Sequence, residues 1–196
     1  MKQILAAILS TSQQTLTDGE KYLFERANPL GVALFARNLK NKEQVKSLIN
    51  SIKETIGRDD VLIALDQEGG RVNRLLNAGF SNYASQSLLS KIGDKKILKA
   101  HAQLISSDMT EVGANFNFAP VLDIEYNNTT SALKSRTFSC KQEIVSEYGR
   151  ILWQTYAQNG ICPCIYPLKM LSAPRRPKQC QFRKQFRLRR MNAPFF

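Results

Sequence analysis

Two short stretches, Gly31–Ala36 and Val61–Leu65, are apolar at every position and bounded by turn residues. A strand with one wet face alternates apolar and polar residues; a strand buried on both faces does not. Between them, Val45, Leu48, Ile49 and Ile52 recur at the spacing of one helix face, and Asn41 stands where a cap belongs. Strand, helix, strand in that order requires a parallel pair joined by a crossover helix that covers the sheet.

The same rhythm extends both ways. Lys2 to Leu9 reads as a strand. Thr17 and Glu20 form the signature of a capping box, opening a helix that runs to about Ala27 and stops before Asn28-Pro29. Gln67 to about Lys91 reads as a long irregular stretch rich in Gly, Asn and Ser, and loops of that length are usually functional. Helix is expected over Ile97–Val112, strand over Phe116–Asp123, a polar loop over Glu125–Ser135, helix over Gln142–Gln158 and strand again from Ile161 to Ile165. The pattern predicts an α/β fold with about five strands in a parallel sheet.

The formal charge of +12 suggests a nucleic-acid binder until its distribution is read. Residues 166–196 hold nine Lys/Arg and no Asp/Glu, which leaves 19 basic and 16 acidic residues in 1–165. The body is nearly balanced, and the excess belongs to the tail. No apolar run approaches the roughly 20 residues of a membrane span, and the first ten residues lack the core and cleavage site of a signal peptide. A cytoplasmic protein without membrane contact is expected. Four cysteines stand at 140, 162, 164 and 180. The Cys162-x-Cys164 spacing is tighter than in zinc knuckles, so buried thiols on one strand face are expected, and no metal.

In parallel α/β folds the functional groups gather at the C-terminal ends of strands. Arg37-Asn38, Asp66-Gln67-Glu68, and Asp123 with Glu125 occupy such positions. Converging carboxylates can hold sugar hydroxyls, bind a metal or act as an acid/base pair. Gly69-Gly70 permits a tight turn or a close approach to a ligand. Arg71 and Arg74 sit one helical turn apart and can share a rim. The plainer readings stand beside these. Glu68 can simply bridge to Arg71 or Arg74, Asp123 can hold its own loop, Arg136 can be an exposed loop charge, and His101, the sole histidine, can be a packed or solvated helix residue.

Four segments resemble glycoside hydrolase family 3, in particular its bacterial β-N-acetylglucosaminidases of cell-wall recycling. They are Gly31–Asn38 (GVALFARN), Ala64–Arg74 (ALDQEGGRVNR), Asn117–Asp123 (NFAPVLD) and Ser135–Phe138 (SRTF), in the family's order and spacing. The likeness runs from about residue 3 to 165. It implies a (β/α)8 barrel, here incomplete with about five βα units. It also implies a retaining, cofactor-free hydrolysis of terminal β-linked N-acetylhexosamine, and a partner that is an N-acetylglucosamine-containing muropeptide or glycan fragment. Asp66 would accept hydrogen bonds from the non-reducing-end sugar, and Arg74 and Arg136 would donate to it. The family then carries lysine–histidine and a Gly-His-Gly loop, followed by an aspartate nucleophile; this chain has Tyr166-Pro167-Leu168-Lys169 and no histidine or aspartate beyond 165. No catalytic residue is therefore assigned, and the chain is expected to be inactive. Non-catalytic sugar binding is the first alternative. Residues 166–196, arginine-rich and without acids, read as a disordered, out-of-frame tail; the rival is a basic segment that binds nucleic acid or acidic surfaces. An open barrel leaves strand edges unpaired, so low stability or association is expected.

Overall fold

The computed structural model describes residues 3–127 and 129–165. The expected tail, 166–196 with Cys180, and Lys2 of the expected opening strand lie outside the described residues, and Gln3 and Ile4 precede the strand rather than belong to it.

Five strands form one parallel sheet: β1 (Leu5–Ser10), β2 (Pro29–Leu34), β3 (Leu62–Leu65), β6 (Phe116–Asn117) and β7 (Cys162–Pro163), adjacent in that order. The register aligns Ser10, Ala33, Ala64, Phe116 and Cys162 in one row across the sheet. Residues one or two positions further on therefore open onto a common C-terminal rim. The crossovers carry α1 (Asp18–Ala27), α2 (Lys42–Ile56), α4 (Lys95–Val112) and α6 (Gln142–Gln158). The expected α/β class holds.

Local chemistry sets the helix bounds. Glu20 donates its backbone N–H to Thr17 Oγ1 at 3.2 Å, and Thr17 N–H returns a bond to Glu20 Oε2 at 2.8 Å. Asn41 Oδ1 accepts from the backbone of Gln44 at 2.8 Å and opens α2, which ends at Gly57 with φ +76°. The predicted apolar face of α2 is the buried one: Val45, Leu48, Ile49 and Ile52 pack into a core with Val32, Leu34, Ile63 and Leu65. β1 differs from its neighbour. No residue in it is fully buried, whereas five of the six residues of β2 are, and Ile4 and Leu5 are left 42% and 45% exposed at the sheet's edge.

Three expectations are corrected. Gln67–Lys91 is not irregular: it contains a small antiparallel hairpin, β4 (Gln67–Gly69) with β5 (Val72–Asn73), then a 3-10 turn over Arg74–Ala78 and α3 (Gln86–Ile92). Phe116–Asp123 is strand only at its first two residues, and the following loop holds a short α5 (Ser131–Lys134). Cys162 is exposed and Cys164 half-buried, so they are not core thiols; strand β7 is short, and its outer side is uncovered among the described residues. Among the described residues no helix is long and apolar enough to cross a membrane, and no three potential metal ligands cluster.

Candidate sugar-binding rim

Buried amides build the rim before any charged group enters it. Asn117, at the end of β6, bonds both backbone groups of one residue: Gln67 N–H donates to its Oδ1 and its Nδ2 donates to Gln67 O, both at 3.0 Å. The Gln67 side chain in turn bonds Asn73 Oδ1 at 2.6 Å and accepts from Leu75 N–H at 3.0 Å. Gln67 is therefore a brace inside the hairpin rather than a ligand group. Gly69 and Gly70 have φ of +89° and +59°, and a Cβ on either would overlap Ala84 O or Ser85. Their close approach is to the 83–85 segment, sealed by Gly70 N–H to Tyr83 O at 2.7 Å. Behind that segment lies His101 of α4. It is buried, with Nε2 3.2 Å from Ala84 O and its ring edge-on to Tyr83, whose hydroxyl bonds Asp108. Burial holds the imidazole below its ordinary value. It is a packed helix histidine.

On this frame stand two carboxylate–arginine pairs. Asp66 Oδ2 lies 3.3 Å from Arg74 Nη2, with both side chains a little over one quarter exposed. Glu68 is only 5% exposed, and Arg136 grips it with two bonds, Nε to Oε2 at 2.8 Å and Nη2 to Oε1 at 2.7 Å. Burial pushes the Glu68 carboxyl up, against the pull of Arg136's bonds and charge, and nearby Asp66 adds to the rise. Glu68's bonds and charge hold Arg136 firmly protonated, with Asp66 and Asp123 contributing at longer range.

The expected site residues thus come together, with changed partners. Glu68 bridges to Arg136, 68 residues away, rather than to Arg71 or Arg74. Arg71 is exposed at the hairpin turn and does not share the helical face expected with Arg74, because no helix runs between them. Arg37 and Asn38 are structural: both donate to the Thr11 carbonyl and fasten the end of β1 to the turn after β2. Glu125 accepts from Thr137 Oγ1 at 3.3 Å, tying together the two ends of the loop that carries Arg136. Tyr156 of α6 is fully buried, its hydroxyl finds no hydrogen-bond partner among the described residues, and burial followed by the Glu68 charge pushes it well up.

The profile of the glycosyl hydrolase family 3 N-terminal domain matches residues 9–165. The chain belongs to that family. Among relatives, a beta-hexosaminidase of Bordetella avium is 31% identical over 155 residues, covering 76% of this chain and 44% of the relative. One from Neisseria gonorrhoeae is 31% identical over 156 residues, at 76% and 42%. Native NagZ from Neisseria gonorrhoeae superimposes with a TM-score of 0.75 at 27% identity, over 84% of this chain and 49% of that structure. A glycoside hydrolase family 3 beta-N-acetylglucosaminidase from a Paenibacillus species also gives 0.75 at 27% identity, over 81% and 31%. The chain spans less than half the length of the curated relatives it matches.

Proposed function

We propose that this family 3 chain holds the non-reducing-end sugar of a β-linked N-acetylhexosaminide, in the cytoplasm, on a muropeptide or other N-acetylglucosamine-containing glycan fragment, without cleaving it. The observation that carries this is the pairing of both rim arginines with carboxylates of one hairpin segment, Asp66 with Arg74 and Glu68 with Arg136. Such pairing orients the guanidinium groups, the preorganisation that makes hydroxyl recognition specific. Arg136 uses Nε and Nη2 on Glu68, which leaves Nη1 for a sugar oxygen. Arg74 gives Nη2 to Asp66 Oδ2 and buries its Nε, which leaves Nη1 as its outward donor beside the second oxygen of Asp66. Donors and an acceptor side by side suit vicinal hydroxyls.

A retaining glycosidase also requires a nucleophile and an acid/base. The sole histidine, His101, is bound to Ala84 O inside the fold, and Asp66 and Glu68 are engaged with arginines. Support for the sugar comes from the relatives' printed activities and from a Neisseria gonorrhoeae NagZ solved with N-trifluoroacetyl-D-glucosamine, 27% identical to this chain. The test pairs calorimetric titration with N-acetylglucosamine against turnover of a chromogenic N-acetyl-β-glucosaminide. Binding that disappears in Asp66→Asn, with no turnover, is expected. Absence of binding overturns the sugar-holding role, and turnover above that of the Asp66→Asn control overturns the non-catalytic one.

A further inference from the structure

Strand β7 carries two free thiols that the rim does not use, Cys162 and Cys164. Their backbone N–H groups donate to Asn115 O and Asn117 O, both at 2.8 Å. Both residues are thus held in extended register against β6, and alternation along a strand puts their side chains on one face. Ile161, on the opposite face, is buried in the core. Pro163 between them has a fixed φ and no N–H to pair, so the spacing of the thiols is set before any ligand arrives. Across the ladder Cys162 stands opposite Phe116, whose ring meets that of Phe118 edge-on. The wall beside the thiols is aromatic, and such a wall limits the access of water to a bound ion.

Two thiols at this spacing can close on each other or on an ion, and geometry decides between the two. Two residues of strand span about 6.6 Å. A disulfide prefers α-carbons about 5.5–6 Å apart and β-carbons under about 4.5 Å, so direct closure would bend β7 away from β6. A bridging ion lengthens the link, because two metal–sulfur bonds of about 2.3 Å replace one sulfur–sulfur bond of about 2.0 Å. Burial pushes both thiols up, with Cys164 adding to the rise at Cys162, so neither has the lowered value of a redox nucleophile. Structural zinc and iron–sulfur clusters need four ligands, and no third His, Cys, Asp or Glu joins the pair among the described residues. Of the soft ions that thiolates select, copper(I) is the one that two of them satisfy.

We propose that Cys162 and Cys164 form a two-coordinate site for copper(I), independent of the rim. Each thiol gives its proton to solvent as its sulfur bonds the ion, and nothing is oxidised or reduced. The site lies on the edge strand, where the exposed Cys162 lets the ion enter from solvent.

The test titrates the full chain anaerobically with copper(I) held by bicinchoninate, whose colour falls as the protein takes the ion. A single ion per chain is expected, and Cys162→Ser or Cys164→Ser should weaken binding by at least about a hundredfold, beyond the loss typical of a supporting neighbour. Cys140→Ser/Cys180→Ser should bind as the unaltered chain does. A second measurement needs no variant: copper(I) should shield Cys162 and Cys164 from iodoacetamide while Cys140 stays reactive, as read by peptide mass spectrometry. Zinc at the same concentration should shield neither. Retention of the ion by Cys162→Ser/Cys164→Ser, equal alkylation with and without copper(I), or equal shielding by zinc overturns the proposal.

Discussion

Replacing Arg136 by Met keeps most of the aliphatic stem and removes the guanidinium from a carboxylate that is 5% exposed. Breaking a buried ion pair by taking one partner costs about 3–5 kcal/mol. The Arg136 side chain is itself 21% exposed, which places the expected loss at the lower end, about 3 kcal/mol. With a urea slope of about 2 kcal/mol/M, the unfolding midpoint should fall by about 1.5 M. The pH dependence is the sharper signature. Burial already raises Glu68 above its ordinary 4.5, so its ionisation opposes folding as pH rises through the folded value. Without Arg136 that rise grows, and the variant's penalty is greatest at neutral pH. Below 4.5 the carboxyl is protonated in both states, and the penalty should shrink to about 1 kcal/mol, the worth of the lost hydrogen bonds. Urea titrations of both proteins near neutrality and at about pH 4 measure this difference. A penalty under about 1 kcal/mol at neutrality, or one that does not change with pH, would refute the claim that Glu68 is a buried charge held by Arg136.

Gly69→Ala should cost several kcal/mol or prevent folding, because its Cβ meets Ala84 O, whereas Gly57→Ala, also at positive φ but facing open space, should cost about 1–2 kcal/mol; thermal melts of the two separate crowding from backbone strain. Arg74→Ala, which leaves only a part-exposed partner, should lower stability by less than about 1 kcal/mol yet abolish detectable N-acetylglucosamine binding by calorimetry; loss of fold instead would contradict the exposed geometry. Leu5→Lys should reduce concentration-dependent association seen by light scattering, since it charges an apolar edge strand that nothing covers among the described residues; unchanged association would place the sticky surface elsewhere.

What could be read from the sequence follows distance along the chain. Helix α1 and its capping box involve partners three residues apart, and α6 begins and ends where its apolar period does. Asp66 at the end of β3 was legible for the same reason: an unbroken apolar run stops there. The hairpin of 67–73 was not, because strands of two and three residues are too short to establish a period. Glu68 has arginines close by in sequence, but Arg71 faces solvent and the pairing is won by Arg136 across space. The braces Asn117, Gln67 and Gln86 bond backbone groups that no spacing rule links to them. A Cys-x-Cys strand predicts a shared face but not whether that face is covered, and Cys162 is exposed.

The Glu68–Arg136 bond carries a kinetic meaning as well as a structural one. Its partners are separated by 68 residues, and the Asn117 brace on Gln67 spans another 50. Closing such long loops is slow and entropically unfavourable until the strands between them have paired. The rim therefore assembles late, after β3 and β6 are in register, and a nascent chain ending before residue 136 would present Glu68 as an unmatched acid. The hairpin can form early, but Gln67 gains its brace and Glu68 its partner only when the fourth strand of the sheet and the loop after it arrive.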